Sequence, residues 1–449
     1  METPLKNSEG QKIQELCRKY SIYTWSIQQD VDPLAVAKTE GLYYWDYDGR
    51  RYLDFTSQLV NVNIGFNHPK VVEAMVEQAR KMPFIAPKYA FDKRAELSRL
   101  LIEEIAPKNM AKVLFSLAGA DANEFALRIA KAYTGREKIF TKYWDYHGST
   151  YGAAMMNGEA IKPSPLPEIG GFIKFFGPFP FHDRSFASAE EASAFYLRDL
   201  RNRLIFEGAD KVAAIIIEPV TGSNGVIIPP KSFLHGLRSL CDEFGILLVF
   251  DEVMMGFGRT GRWFAAEYFD VQPDIITFAK GITCGYVPLG GVLISRKIAD
   301  YLETNRISCG LTYNAHPMGC AAAIATINVY KEEKILEHTR EMAVVLEAEL
   351  QKIKVKHPSV GDVRSIGLMG GIEIVKNAKT LEPFVPYGIT NPGEAMNAFV
   401  NAAKLKGVSM FGRGNIAVVA PPLIIKEDEL KEALAVVDDA LGEVDARME

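Results

Sequence analysis

Asp251 stands at the end of the apolar run ILLVF, and Lys280 ends DIITFAK, 29 residues further on. A carboxylate or an ammonium beside an apolar segment is costly unless something pairs with it. Either residue alone fits a strand end that reaches water. Together they offer a sharper chemistry. A lysine can condense with an aldehyde, and an aspartate can keep a pyridine nitrogen protonated near neutral pH. Those are the two groups a pyridoxal cofactor needs, because its protonated ring then serves as an electron sink.

The stretch KVLFSLAGADANEFALRIAKAYTG adds a third element, reading as strand, small-residue turn and helix. Gly119 and Ala120 sit at the turn, with Asn123 and Glu124 in the first helical turn. Small residues let backbone amides approach a phosphate, and a helix start supplies further donors. A nucleotide loop is the rival reading, but neither GxGxxG nor GxxxxGK[ST] occurs. The seven histidines form no HxxxH or HExxH, so a metal site has little support. The five cysteines make no CxxC pair and are odd in number, which points to reduced thiols in a cytoplasmic protein.

These groups must be positioned by the elements around them. KVLFSL (112–117), KIFTK (138–142), VAAIIIEP (212–219), ILLVFDEV (246–253), DIITFAK (274–280) and GGVLIS (290–295) are short, apolar and rich in β-branched residues. Helix-like stretches separate most of them, which predicts a mostly parallel sheet buried on both faces. Open sheets of this kind bind ligands at the carboxyl ends of their strands. VVEAMVEQARKM and KRAELSRLLIEEIAP have helical spacing, and Asp48-Gly49 predicts a hairpin within LYYWDYDGRRYLDF. Beyond about 326 the pattern shifts to amphipathic helices (335–355 and 427–446), with MGGIEIV and NIAVVAP as strands between them. The fold class is therefore α/β, a large domain beside a smaller α+β one. We divide it as an N-terminal segment 1–66 shared with the small domain, a large domain 67–325 and a C-terminal small domain 326–449. A 449-residue chain of 48% hydrophobic and 24% charged residues can bury such a core. Its net charge of -5 argues against nucleic-acid binding, and no 18-residue apolar window suggests a membrane span. The polar N-terminus lacks the apolar core of a secretory signal.

The chain resembles the class III, or ω-amino-acid, aminotransferases of the fold-type-I pyridoxal-phosphate enzymes. Nearly its whole length takes part. The pieces are Gly119 to Glu124 (GADANE), Tyr146-His147-Gly148, Glu218-Pro219, Phe250 to Val253 (FDEV) with Gly258-Arg259-Thr260-Gly261 behind it, Lys280-Gly281, Gly290-Gly291, Leu311-Thr312-Tyr313, and Ala420 to Leu423 (APPL). The resemblance implies a seven-stranded, mostly parallel sheet and pyridoxal phosphate as cofactor. It makes Lys280 the lysine that condenses with the cofactor and later shuttles the proton. Asp251 pairs with the pyridine nitrogen, while Val253 and Tyr146 pack on opposite faces of the ring. Gly119 and Ala120 give backbone donors to the phosphate. Thr312 reaches the phosphate from a partner subunit, so a homodimer with shared active sites is implied. Glu218 orients the cofactor-side network and can pair with a mobile arginine. Read alone, Tyr146 also fits a core aromatic, His147 a structural hydrogen-bonder, and Glu252 and Arg259 loop structure.

The resemblance also bears on substrates, an amine and a 2-oxo acid exchanged by a ping-pong reaction. Trp25 to Gln28 (WSIQ) and Ser57 to Asn63 (SQLVNVN) look like the branch that transaminates taurine, hypotaurine or β-alanine. Trp25, Gln58 and Asn61 are candidates to line the pocket, and Trp25 equally fits an interface or core aromatic. A sulfonate with three acceptor oxygens suits dispersed amide donors plus an arginine. Arg413 is the candidate, although it stands about two positions later than the family pattern places its carboxylate-binding arginine. Either it reaches the site through a shifted loop or another residue binds the carboxylate. The acceptor is 2-oxoglutarate or pyruvate. Another ω-amino acid or diamine as donor, or a pyridoxal aminomutase or decarboxylase on the same scaffold, are the alternatives, and a non-catalytic binding protein would have lost Lys280 or Asp251.

Overall fold

The computed structural model describes residues 8–159, 169–389 and 391–449. Three short strands, β1 (Val36–Glu40), β2 (Tyr43–Asp46) and β3 (Arg51–Asp54), form an antiparallel meander. The hairpin expected at Asp48-Gly49 joins β2 to β3. Gly49 takes φ +80, a backbone that favours glycine, and the Asp46 carboxylate accepts from the N–H groups of Asp48 and Arg50.

The central sheet contains β4 (Met110–Ser116), β5 (Lys138–Lys142), β6 (Phe172–Phe175), β7 (Val212–Ile217), β8 (Leu247–Asp251), β9 (Ile275–Phe278) and β10 (Gly290–Ser295). Across the sheet they lie in the order β4-β10-β9-β8-β7-β5-β6. Strands β5 to β9 pair in parallel, and β10 alone runs against both its neighbours. Strands β7 to β10 are buried along their whole length. Successive residues face opposite cores, as strand geometry requires. Ile215, Ile217, Leu248, Phe250 and Ile276 join the core that holds the helix Lys231–Phe244, whereas Ala214, Ile216, Val249 and Ile275 pack with the helix Gly119–Thr134. Six strands match the apolar runs of the sequence. The seventh, β6, is a four-residue edge strand with only Phe175 buried, too short and too exposed to leave an apolar run.

In the C-terminal part, β11 (Val360–Ile366), β12 (Met369–Ile374), β14 (Phe411–Arg413) and β15 (Ile416–Val419) form an antiparallel sheet in the order β11-β12-β15-β14. The remaining strand, β13 (Val408–Ser409), instead pairs in parallel with β3. Residues from both ends of the chain therefore share one four-stranded sheet. Among the described residues no helix is long and apolar enough to cross a membrane, and no group of three or more His, Cys, Asp or Glu is placed to hold a metal ion.

Candidate active site

The candidate residues gather at the carboxyl ends of the parallel strands. Asp251 is the last residue of β8 and lies in register with Thr277 of β9. Lys280 follows β9 by two residues and opens a short turn, Lys280–Ile282, with φ +49. A side-chain-bearing residue keeps that backbone only when its surroundings hold it there. Glu218 comes directly after β7, and Tyr146 and His147 lie on the loop after β5.

The Asp251 carboxylate is oriented from behind. It is 3% exposed. Its Oδ2 accepts from Asn123 Nδ2 at 2.7 Å and lies 2.8 Å from His147 Nδ1, while Oδ1 accepts from the Val253 N–H at 3.0 Å. Asn123 is fixed in turn, since it also donates to the His147 carbonyl and accepts from the Thr277 hydroxyl. The expected structural role of His147 thus has a definite object, the carboxylate of Asp251. The sequence flagged Asn123 only by its place at a helix start.

Lys280 is half-buried, and burial lowers its pKa against the opposing pull of the Glu218 and Asp251 carboxylates. Among the described residues no side chain hydrogen bonds to its ammonium. Glu218 accepts from the N–H groups of Tyr146 (2.8 Å) and Gly222 (3.0 Å). Burial, with Asp145 and Asp251 nearby, raises its pKa well above the usual carboxylate range. Asp145 returns the contact by accepting the Glu218 N–H at 2.9 Å, and it pairs with buried Lys142 at 2.8 Å. Adjacent residues on neighbouring strand ends therefore clamp each other and fix the Tyr146 backbone.

At the start of the helix Gly119–Thr134, the Asp121 carboxylate turns back to the N–H groups of Leu117 and Ala118. The N–H groups of Gly119 and Ala120 are left without an acceptor among the described residues. A Cβ on Gly119 would fall 2.7 Å from the Val253 side chain, and one on Gly148 2.5 Å from that of Ala120. Only glycine fits at either point. Free helix-start donors, an oriented carboxylate, an unpaired lysine and the Tyr146 ring make a donor set that suits pyridoxal phosphate.

The loop Ser57–Asn63 packs onto the segment that follows Lys280. A Cβ at Gly285 would meet Asn61 Nδ2 at 2.6 Å, and one at Gly281 would meet Asn63 Nδ2 at the same distance. Gln58 is exposed, with its amide donating to Asp54 at 2.9 Å. Arg259, fully buried, binds this loop to the rest of the fold. It donates to Asn63 Oδ1 (2.6 Å), Ser57 Oγ (3.2 Å) and the carbonyls of Leu368 (2.9 Å) and Pro421 (2.6 Å). Trp25, 69% exposed, and Thr312 both lie on the surface of the chain. No hydrogen bond among the described residues ties either to the Asp251 cluster. Arg413 ends β14 at its hairpin with β15, where Gly414 takes φ +56. Its partner is Glu159 at 2.7 Å, and not Glu218, whose oxygens are taken by backbone N–H groups. Nothing in the sequence singled out Glu159.

A family model described as aminotransferase class-III matches residues 26–441. The taurine:2-oxoglutarate aminotransferase of Bifidobacterium kashiwanohense, solved with pyridoxal phosphate and glutamate, superposes with a TM-score of 0.95 at 41% identity, covering 100% of both chains. Putrescine–pyruvate aminotransferase of Pseudomonas aeruginosa is 30% identical, over 99% of each chain. A leucine/methionine racemase of Thermococcus litoralis is 33% identical over 96% of each.

Proposed function

The chain belongs to the class III aminotransferases, pyridoxal-phosphate-dependent enzymes, and on that premise we propose taurine or a close ω-amino analogue as its donor and a 2-oxo acid as its acceptor. The observation that carries this choice is the amide-rich Ser57–Asn63 loop lying against the Lys280 turn. The full-length likeness to a taurine:2-oxoglutarate aminotransferase supports it.

Pyridoxal phosphate, when bound, supplies an aldehyde that takes up amines and a ring that accepts electrons. The residues divide the remaining work. Lys280 Nζ, held towards its neutral form by burial, takes the proton from the substrate carbon that bears nitrogen and later returns it. The Asp251 carboxylate would keep the ring nitrogen protonated, and His147 and Asn123 keep that carboxylate aimed. Gly119 and Ala120 offer backbone N–H groups to the phosphate, and Val253 and Tyr146 confine the ring. Thr312 adds its hydroxyl from a second copy of the chain, so the working unit is a homodimer. Asn61 and Gln58 offer amide donors to the sulfonate, with Trp25 at the pocket edge, and Arg413 takes the carboxylate of the 2-oxo acid.

A screen of taurine, hypotaurine, β-alanine, 4-aminobutyrate and putrescine against 2-oxoglutarate and pyruvate tests the assignment. Taurine or hypotaurine should give the highest kcat/KM; a lead of about tenfold or more for 4-aminobutyrate or putrescine, worth 1.4 kcal/mol or more, would reject it. The likeness to a racemase favours a second reading, in which no external acceptor is needed. Turnover of an amino acid without any added 2-oxo acid would select that reading instead.

A further inference from the structure

Lys142, Asp145 and Thr221 form a polar cluster behind Glu218. Asp145 and Thr221 are fully buried, and Lys142 is 5% exposed. The Lys142 ammonium donates to Thr221 Oγ1 at 2.6 Å and lies 2.8 Å from Asp145 Oδ1. The Thr221 hydroxyl donates to the same Oδ1 at 2.6 Å. Asp145 Oδ2 is turned the other way and accepts the Glu218 N–H at 2.9 Å. A buried ion pair adds little net stability, because desolvation offsets the attraction. What distinguishes this one is its place, with its carboxylate beside a second carboxylate. The charged and titratable groups around Glu218 are Asp145 and Lys142 from the end of β5, Asp251 from the end of β8 with His147 against it, and Lys280 after β9. Of the three carboxylates, Asp145 is served by Lys142, and Asp251 by Asn123 and His147. Among the described residues Glu218 accepts from two backbone N–H groups alone, those of Tyr146 and Gly222. A proton taken up by this crowded group therefore falls to Glu218, in keeping with its raised pKa.

We propose that Asp145 is a positioning residue that acts through Glu218, keeping that side chain protonated so that it presents no charge to an anionic substrate. This rests on the reading that the substrate meets the cofactor beside Lys280 and Glu218. A taurine sulfonate and a 2-oxo acid are both anions, and an ionised Glu218 would repel either. Lys142 supplies the counter-charge of Asp145, and Thr221 fixes the oxygen that Lys142 uses, so the other oxygen stays on the Glu218 N–H.

Infrared difference spectroscopy of the holoenzyme reads the proton on Glu218 through its carboxylic-acid C=O stretch, with Glu218→Gln as the reference that lacks the band. Wild type should show the band at neutral pH. Asp145→Asn keeps the shape and removes the neighbouring charge, so Glu218 should lose its proton at a pH lower by about one unit or more. Should the unpaired Lys142 then impair folding, Asp145→Asn combined with Lys142→Met removes both buried charges and should shift the band in the same direction. At a pH between the two midpoints, Asp145→Asn should raise the KM for the 2-oxo acid about 3- to 30-fold, more than it lowers kcat. Adding Glu218→Gln, whose amide cannot ionise, should return that KM towards wild type. Absence of a Glu218 band in wild type, or a band that neither Asp145 variant moves, overturns the proposal. A KM that stays raised after Glu218→Gln also overturns it, because Asp145 would then act on the structure at large. A shifted band with an unchanged KM rejects instead the underlying reading of where the substrate binds.

Discussion

Asp251 and Lys280 are only 29 residues apart in sequence, yet the groups around them come from three further segments as well as from the run that Lys280 ends. Asn123, His147 and Thr277 orient the Asp251 carboxylate, and Glu218 shares the buried charge. In the role proposed for Asp251 its carboxylate holds the ring nitrogen protonated. Asp251→Asn preserves the shape but cannot do this. It should cut kcat on the order of 10²–10³ while cofactor retention changes far less, because the carboxylate acts mainly in the transition state. Absorbance titration of bound cofactor beside steady-state rates separates the two effects, and near-normal turnover would reject the role. Lys280 makes a pH prediction for the cofactor-free protein. Its folded pKa is depressed, so between the folded and unfolded values the unfolded chain binds more protons and stability rises with pH. Lys280→Met removes this contribution. The variant should be the more stable form at neutral pH, with its advantage shrinking as pH rises towards about 10.4, the ordinary lysine value, and gone above it. Urea midpoints across that range give the answer, and a pH-independent gap would contradict the burial argument.

Among the elements, Arg259 connects the loop Ser57–Asn63 to the scaffold. Its guanidinium is fully buried, its pKa pushed down to about 10 by burial, and its contacts reach two distant carbonyls as well as Ser57 and Asn63. Arg259→Leu strands those acceptors and should cost about 3–5 kcal/mol. Hydrogen exchange should show the loop Ser57–Asn63 opening first; uniform loss of protection would mean a purely global effect. Legibility from sequence followed the same physics. The buried strands β7 to β10 announce themselves as apolar runs, and Asp251 and Lys280 stand where two of those runs stop. The half-buried or very short strands β6, β11, β13 and β14 leave weak patterns, and β13 joins β3 across more than 350 residues, which no local pattern encodes. Glu159 was invisible for a similar reason. A single acidic residue in a polar loop has no signature until the fold brings Arg413 to it.

At the scale of the whole molecule, Thr312 and Trp25 lie exposed on the surface of the single chain, and the Gly119 and Ala120 N–H groups have no acceptor among the described residues. A homodimer in which Thr312 serves the partner's phosphate site accounts for both. Mixing Lys280→Ala with Thr312→Ala chains should then rebuild one complete site in each mixed dimer, about one quarter of all sites at equal ratio. Recovered cofactor retention and turnover are expected, and no recovery after verified subunit exchange would contradict sharing. The claim beneath all of this is that Lys280 carries pyridoxal phosphate. Borohydride reduction of the holoenzyme, followed by proteolysis and mass mapping, tests it most directly. The reduced cofactor should be found on the peptide containing Lys280, and its recovery on any other lysine would contradict the account.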